Sequence, residues 1–147
     1  MAKGKKYIEL AVAAALFAGC AGTVIAADVA TSIANRKAAM KAVATASIKL
    51  RNPSASLDDL KASGKTIADQ TKIFAANFPK GSGAESGEKT KAKAEVFSDA
   101  KGFKAESDKA IKAATALSTA KDAAAAQAAA KTVLGNCNEC HDKYRDK

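Results

Sequence analysis

Tryptophan is absent from this 147-residue chain, aromatic side chains make up only 5% of it, and histidine occurs once. Cysteine occurs three times and proline twice. Runs of β-branched residues and turn-punctuated alternation of polar and apolar residues are also missing. That excludes a sheet protein, and abundant alanine points instead to an all-α fold. With one histidine, and with Cys20 inside a leader segment, a structural zinc site lacks its four ligands. A thioredoxin-type thiol pair belongs near a βαβ pattern, and none is present. An alanine-rich helical chain with few aromatics has little large apolar surface of its own, so a bulky buried group is expected to complete the core.

The chemistry is concentrated in the last dozen residues, at Cys137-Asn138-Glu139-Cys140-His141. Cys-x-x-Cys-His is the attachment pattern of c-type haem: two thiols bond the vinyl groups and the histidine ligates iron. On a helix, at about 100° per residue, Cys140 lies about 60° to one side of Cys137 and His141 about 40° to the other. All three project from one narrow stripe and can grip a single flat ring. The expected cofactor is therefore one covalent haem c, and the chain without it is expected to be loosely folded. With its only histidine committed to iron, the chain keeps no nucleophile–base pair, so an enzyme is not expected.

Residues 1–26 read as an export signal. Lys3, Lys5 and Lys6 precede an apolar stretch from Leu10, and small residues lead to cleavage after Ala26, with Ala27 as the alternative. Leu16-Phe17-Ala18-Gly19-Cys20 also resembles a lipoprotein processing site, which would leave a lipid anchor on Cys20. Export fits the cofactor, since c-type haem is attached outside the bacterial inner membrane. It also makes nucleic acid a poor partner. The functional domain is then 27–147. Losing three lysines and one glutamate with residues 1–26 lowers the net charge from +9 to +7, which favours docking to redox proteins with acidic surfaces.

Periodicity predicts four helices. The first spans about 28–50, stops before Asn52-Pro53, and carries an inward stripe of Val29, Ile33, Arg36, Met40, Val43, Ser47 and Leu50. The second starts near Ser56, where Ser56 and Asp59 form a capping box, and presents Leu57, Leu60, Ile67, Phe74 and Phe78 before Pro79 ends it. The segment 79–87 is expected to be a loop too polar and glycine-rich to pack. The third helix is expected over 91–117. The fourth, capped by Thr119 and Asp122, runs into the haem motif.

The far side of the iron has few candidates. Met40 is the only methionine after the leader and lies on the inward stripe, where it either ligates iron opposite His141 or fills the core. Arg36, one turn earlier, either pairs with a haem propionate or snorkels at the bundle edge. Arg145, four residues after His141, either lies near the iron on the histidine side or reaches solvent near a helix C-terminus, the second being expected of an electron carrier.

These features resemble the class II cytochromes c, the family of cytochrome c′ and cytochrome c-556. The resemblance rests on the C-terminal Cys137-Asn138-Glu139-Cys140-His141-Asp142-Lys143-Tyr144-Arg145, on Arg36-Lys37-Ala38-Ala39-Met40, and on the pair Phe97 and Phe103, with phenylalanine where the family often has tryptophan. It implies a left-handed antiparallel four-helix bundle, His141 as the proximal ligand and a possible homodimer. Two functions follow. In the first, the protein is a periplasmic electron carrier with His141 and Met40 on iron, as in cytochrome c-556. In the alternative, Met40 is unligated and the iron binds nitric oxide or carbon monoxide, as in cytochrome c′.

Overall fold

Helix boundaries follow from local chemistry that the chain carries at each end. The computed structural model describes residues 21–147, with side chains from Asp28 onward, so the expected lipidation of Cys20 and most of the leader lie outside the described residues. Helix α1 is Ala21–Leu50 and crosses the expected cleavage position. It ends in a turn in which Asn52 Oδ1 accepts from Ser54 N–H at 3.0 Å, immediately before Pro53 bars continuation.

Helix α2, Leu57–Ala75, starts as expected. Ser56 Oγ accepts from the Asp59 N–H at 3.1 Å and donates to the Asp59 carboxylate at 2.9 Å, so Ser56 caps the helix as expected, with the return contact made through its hydroxyl instead of its backbone N–H. Its end is three residues earlier than the position of Phe78 implies. Asn77 Nδ2 donates to the Ile73 carbonyl at 2.7 Å, taking an acceptor that the next turn would have used.

The expected third helix is broken. A short α3, Glu95–Ser98, is followed by α4, Ala100–Ser118, with Asp99 between them at φ −117° and ψ 53°. The Asp99 carboxylate accepts from Gly102 N–H at 3.0 Å and so caps α4 itself. Lys91–Lys93 are not helical either. Lys93 N–H donates to the Tyr144 carbonyl and Asp146 N–H to the Lys91 carbonyl, a two-bond antiparallel clip between this segment and the C-terminus. Helix α5, Ala123–Tyr144, is capped by Asp122 alone, which accepts from Ala125 N–H at 2.8 Å; Thr119 closes α4 instead.

The four long helices form an all-α four-helix bundle. Contacts run mainly α1 to α2, α2 to α4 and α4 to α5, while α5 meets α1 and α2 more thinly. The main core joins Val43, Leu50, Leu60, Ile67, Leu117 and Val133 across all four. Alanine and glycine let the helices approach. A Cβ on Gly64 would lie 2.8 Å from both the Ala114 carbonyl oxygen and the Ser118 nitrogen, so α2 meets the α4 backbone directly there. The aromatic shortage is met by concentration: Phe74, Phe78, Phe97, Phe103 and Tyr144 stack edge-to-face, with centroids 4.8–6.2 Å apart.

The 79–87 loop does pack, contrary to its composition. Ser82 is wholly buried, Gly83 is buried, and a 3-10 turn spans Ala84–Ser86. Gly81 at φ +84° and Gly87 at φ +75° make the two reversals that a side chain would strain.

Candidate haem site

Where α5 stands off from α1, the bundle opens into a cavity of about 770 Å³, inside the about 300–1,000 Å³ range of cofactor sites. Arg36, Met40, Cys137, Cys140 and His141 all line it, so the fold brings together every residue singled out in the sequence. The separation along the chain is large: the first two come from α1 and the last three from the final turns of α5.

The helical phase expected of Cys-x-x-Cys-His holds. Cys137 and Cys140 are half-buried and form no disulfide. Burial pushes both thiols above their ordinary range, Cys140 to about 11 with the Glu106 carboxylate adding to the effect. His141 is an exposed residue that lines the cavity, and the surrounding protein still partly desolvates its ring. That burial, and then Arg145, hold its imidazole below the usual value. A neutral imidazole with an open nitrogen suits a metal ligand.

Salt links hold α5 in register. Lys143 Nζ donates to Glu106 Oε1 on α4 at 2.6 Å, and Lys109 Nζ joins Glu139, inside the motif, at 2.8 Å. Lys109 also approaches the second Glu106 oxygen at 3.5 Å, an ion pair without hydrogen-bond geometry.

Met40 is half-buried and packs against the main core as well as lining the cavity, while its neighbour Ala39 takes the fully buried place on α1. Arg36 is only 3% exposed, which excludes the edge-snorkelling arrangement. Its guanidinium lies 4.4 Å from the centre of the Phe78 ring. One terminal nitrogen donates to the Asn77 carbonyl at 3.2 Å and Ser82 Oγ at 2.9 Å. The other donates to the Ser82 carbonyl and to Thr90 Oγ1 at 3.0 Å. Arg36 is thus the anchor of the loop from 77 to 90. Its burial lowers its pKa, and Glu85 partly offsets this.

Arg145 is exposed, as expected, but also lines the mouth. Sequence reasoning missed the other cations there, Lys37, Arg51, Lys89 and Lys91, which come from three separate segments. Among the described residues, no acidic side chain lines the cavity. An apolar chamber with a cationic mouth, two thiols and an imidazole fits a haem, which is an apolar ring with two carboxylates.

Fold and site together define a bundle-type c-type cytochrome, one with its haem motif on the last helix. The chain belongs to the cytochrome c′ family, whose model matches residues 31–145, and its cofactor is covalent haem c. A cytochrome c′ from Rubrivivax gelatinosus is 43% identical over 70 residues, 46% of this chain and 54% of that protein. The matched stretch thus spans about half of that relative's length. Among solved structures, cytochrome c′ from Rhodopseudomonas palustris is 33% identical with a TM-score of 0.68, covering 79% of this chain and 96% of its own. A variant of cytochrome c prime from Alcaligenes xylosoxidans, solved as a nitric oxide complex, is 25% identical with a TM-score of 0.68, covering 81% and 96%. Cytochromes c′ are periplasmic haem proteins, and no helix among the described residues is long and apolar enough to cross a membrane.

Proposed function

We propose that this protein binds a diatomic gas, nitric oxide or carbon monoxide, at a five-coordinate haem. Cys137 and Cys140 carry the thioether bonds and His141 is the proximal ligand. The observation that carries this reading is the packing of Met40: the half-buried side chain rests against the main core while it lines the cavity. A methionine so held would crowd the gas-binding side of a haem seated on His141 and leave it unligated. The nitric oxide complex of the Alcaligenes relative supports the same chemistry. The haem iron supplies reversible gas binding. The chain itself contributes a dry apolar wall, a neutral imidazole held by α5, and cations that balance the propionates.

A second reading makes the protein an electron carrier with Met40 on the iron. It is favoured by Met40 and His141 lining one cavity from opposite elements. In that case the cationic mouth, formed by Lys37, Arg51, Lys89, Lys91 and Arg145, docks an acidic redox protein. Neither reading gives the protein a substrate to turn over, so neither makes it an enzyme. Under both, residues 1–26 direct export, the bundle is the mature domain 27–147, and a homodimer is compatible with the family. Arg36 keeps only Nε–H for a propionate, so its main work is to hold the loop beside the haem.

A visible spectrum with and without carbon monoxide tests the choice. A high-spin spectrum that shifts with the gas is expected, and Met40→Ala should leave the resting spectrum unchanged. Low-spin bands indifferent to carbon monoxide, turned high-spin by Met40→Ala, would reject the gas reading in favour of the carrier.

A further inference from the structure

Of the hydroxyls on helical residues in the cavity wall, three have partners. Ser47 Oγ donates to the Val43 carbonyl at 2.8 Å, Ser107 Oγ to the Phe103 carbonyl at 2.9 Å, and the Tyr144 phenol to Asp99 at 2.8 Å. The fourth, Thr71 on α2, makes no hydrogen bond with any described residue. It is 7% exposed, and it lines the cavity. Helical threonines elsewhere take the default solution of donating to their own carbonyl four residues back: Thr45, Thr66, Thr115 and Thr132 all do so. These four are exposed; Thr71 is a buried residue whose hydroxyl has no partner among the described residues and is left to the cavity that it lines. Once a ring fills the chamber and excludes water, a donor left without an acceptor there would cost about 1–3 kcal/mol, so an acceptor inside the filled cavity is the arrangement that avoids the cost.

Two acceptors come with a haem in this chamber: its propionate carboxylates, and the outer atom of a ligand on the iron. The propionates have a better place at the cationic mouth among exposed side chains. Thr71 instead sits on the buried face of α2, between Ile67 and Phe74, where an unpaired carboxylate is costly and a neutral acceptor is not. We propose that Thr71 is the hydrogen-bond donor to a neutral diatomic ligand held in the haem cavity. This proposal rests on the gas-binding reading above. Thr71 then sets how long the gas stays, while Met40 sets how much room it has.

The test uses the haem-loaded protein, its Thr71→Val variant, which keeps the shape and loses the donor, and Thr71→Ser, which keeps the hydroxyl. The readouts are the stretching frequency of bound carbon monoxide and its dissociation rate. Thr71→Val is expected to raise the frequency and to speed dissociation about fivefold, the equivalent of one net hydrogen bond, with Thr71→Ser close to wild type. An unchanged frequency and rate in Thr71→Val, with the haem spectrum intact, overturns the proposal. So does a shifted reduction potential of the gas-free protein with no change in the carbon monoxide stretch, which would assign the hydroxyl to a propionate. Wild-type protein that fails to bind carbon monoxide overturns the gas reading as well, which separates the two failures.

Discussion

Tyr144 donates its phenol to Asp99 at 2.8 Å, joining the last residue of α5 to the residue that breaks α3 from α4. The bond, the desolvation of the ring and the neighbouring carboxylate push the Tyr144 phenol up to about 12. The same bond, then Gly102 N–H, hold the Asp99 carboxyl below its usual value. The contact therefore closes the helix carrying His141 against the aromatic cluster.

From the sign of these shifts, the stability that Tyr144 contributes is full below pH 10, the unfolded phenol's pKa. It is lost as pH rises toward 12. Denaturant melts across this alkaline limb should show the loss, and Tyr144→Phe should flatten it while lowering stability near neutrality by about 1–2 kcal/mol.

The acid limb depends on other groups. Glu106 is held below the ordinary carboxylate range, chiefly by the hydrogen bond from Lys143, and Asp99 by that from Tyr144. Stability from a depressed carboxylate is present above its unfolded pKa, about 4, and fades as pH falls through the folded value. Glu106→Gln should shrink the acid-induced loss measured by thermal melting between pH 5 and pH 2, ranges set by that pKa.

Arg36 anchors a loop whose composition is that of a free one. Arg36→Leu strands the Ser82 and Asn77 carbonyls and is expected to cost about 3 kcal/mol, with faster amide exchange over 77–90. Arg36→Lys should rescue little of this, because a single ammonium cannot present the planar fork. Exchange confined to wild-type rates in Arg36→Leu would contradict the anchoring role.

Gly64 marks the closest approach of α2 to α4. Gly64→Ala removes a helix-weakening glycine, worth about 1 kcal/mol, but places a methyl 2.8 Å from α4 backbone atoms. The clash should win, giving a net destabilisation of about 1–2 kcal/mol, and Gly64→Val should be worse.

Replacing both Cys137 and Cys140 with alanine should yield protein without covalent haem. The cavity then has no ring to fill it, and the few large apolar side chains gathered around it lose a partner. A broad thermal transition with weak cooperativity is expected, and a sharp two-state melt would show that the bundle does not depend on its cofactor.

What the sequence determined by itself is what depends on neighbours in the chain. The phase of Cys137, Cys140 and His141, the cap at Ser56, the stop at Pro53 and the stripe through Ile33 and Leu50 all follow from helical geometry over a few residues. Arg36, Met40, Cys137, Cys140 and His141 were legible at the site for the same reason, since each lies on an inward stripe or in a fixed-spacing motif, whereas the cations Lys37, Arg51, Lys89 and Lys91 were not. Tertiary structure alone decided the rest, because the partners are far apart in the chain. Ser82 meets Arg36 across 46 residues and Asp99 meets Tyr144 across 45. Those long-range bonds turned a glycine-rich loop into packed structure and split a continuous helical pattern at Asp99. Thr71 shows the same limit from the other side: four residues after Ile67 it is an ordinary inward threonine, and only the folded structure shows that it lines the cavity with no partner for its hydroxyl among the described residues.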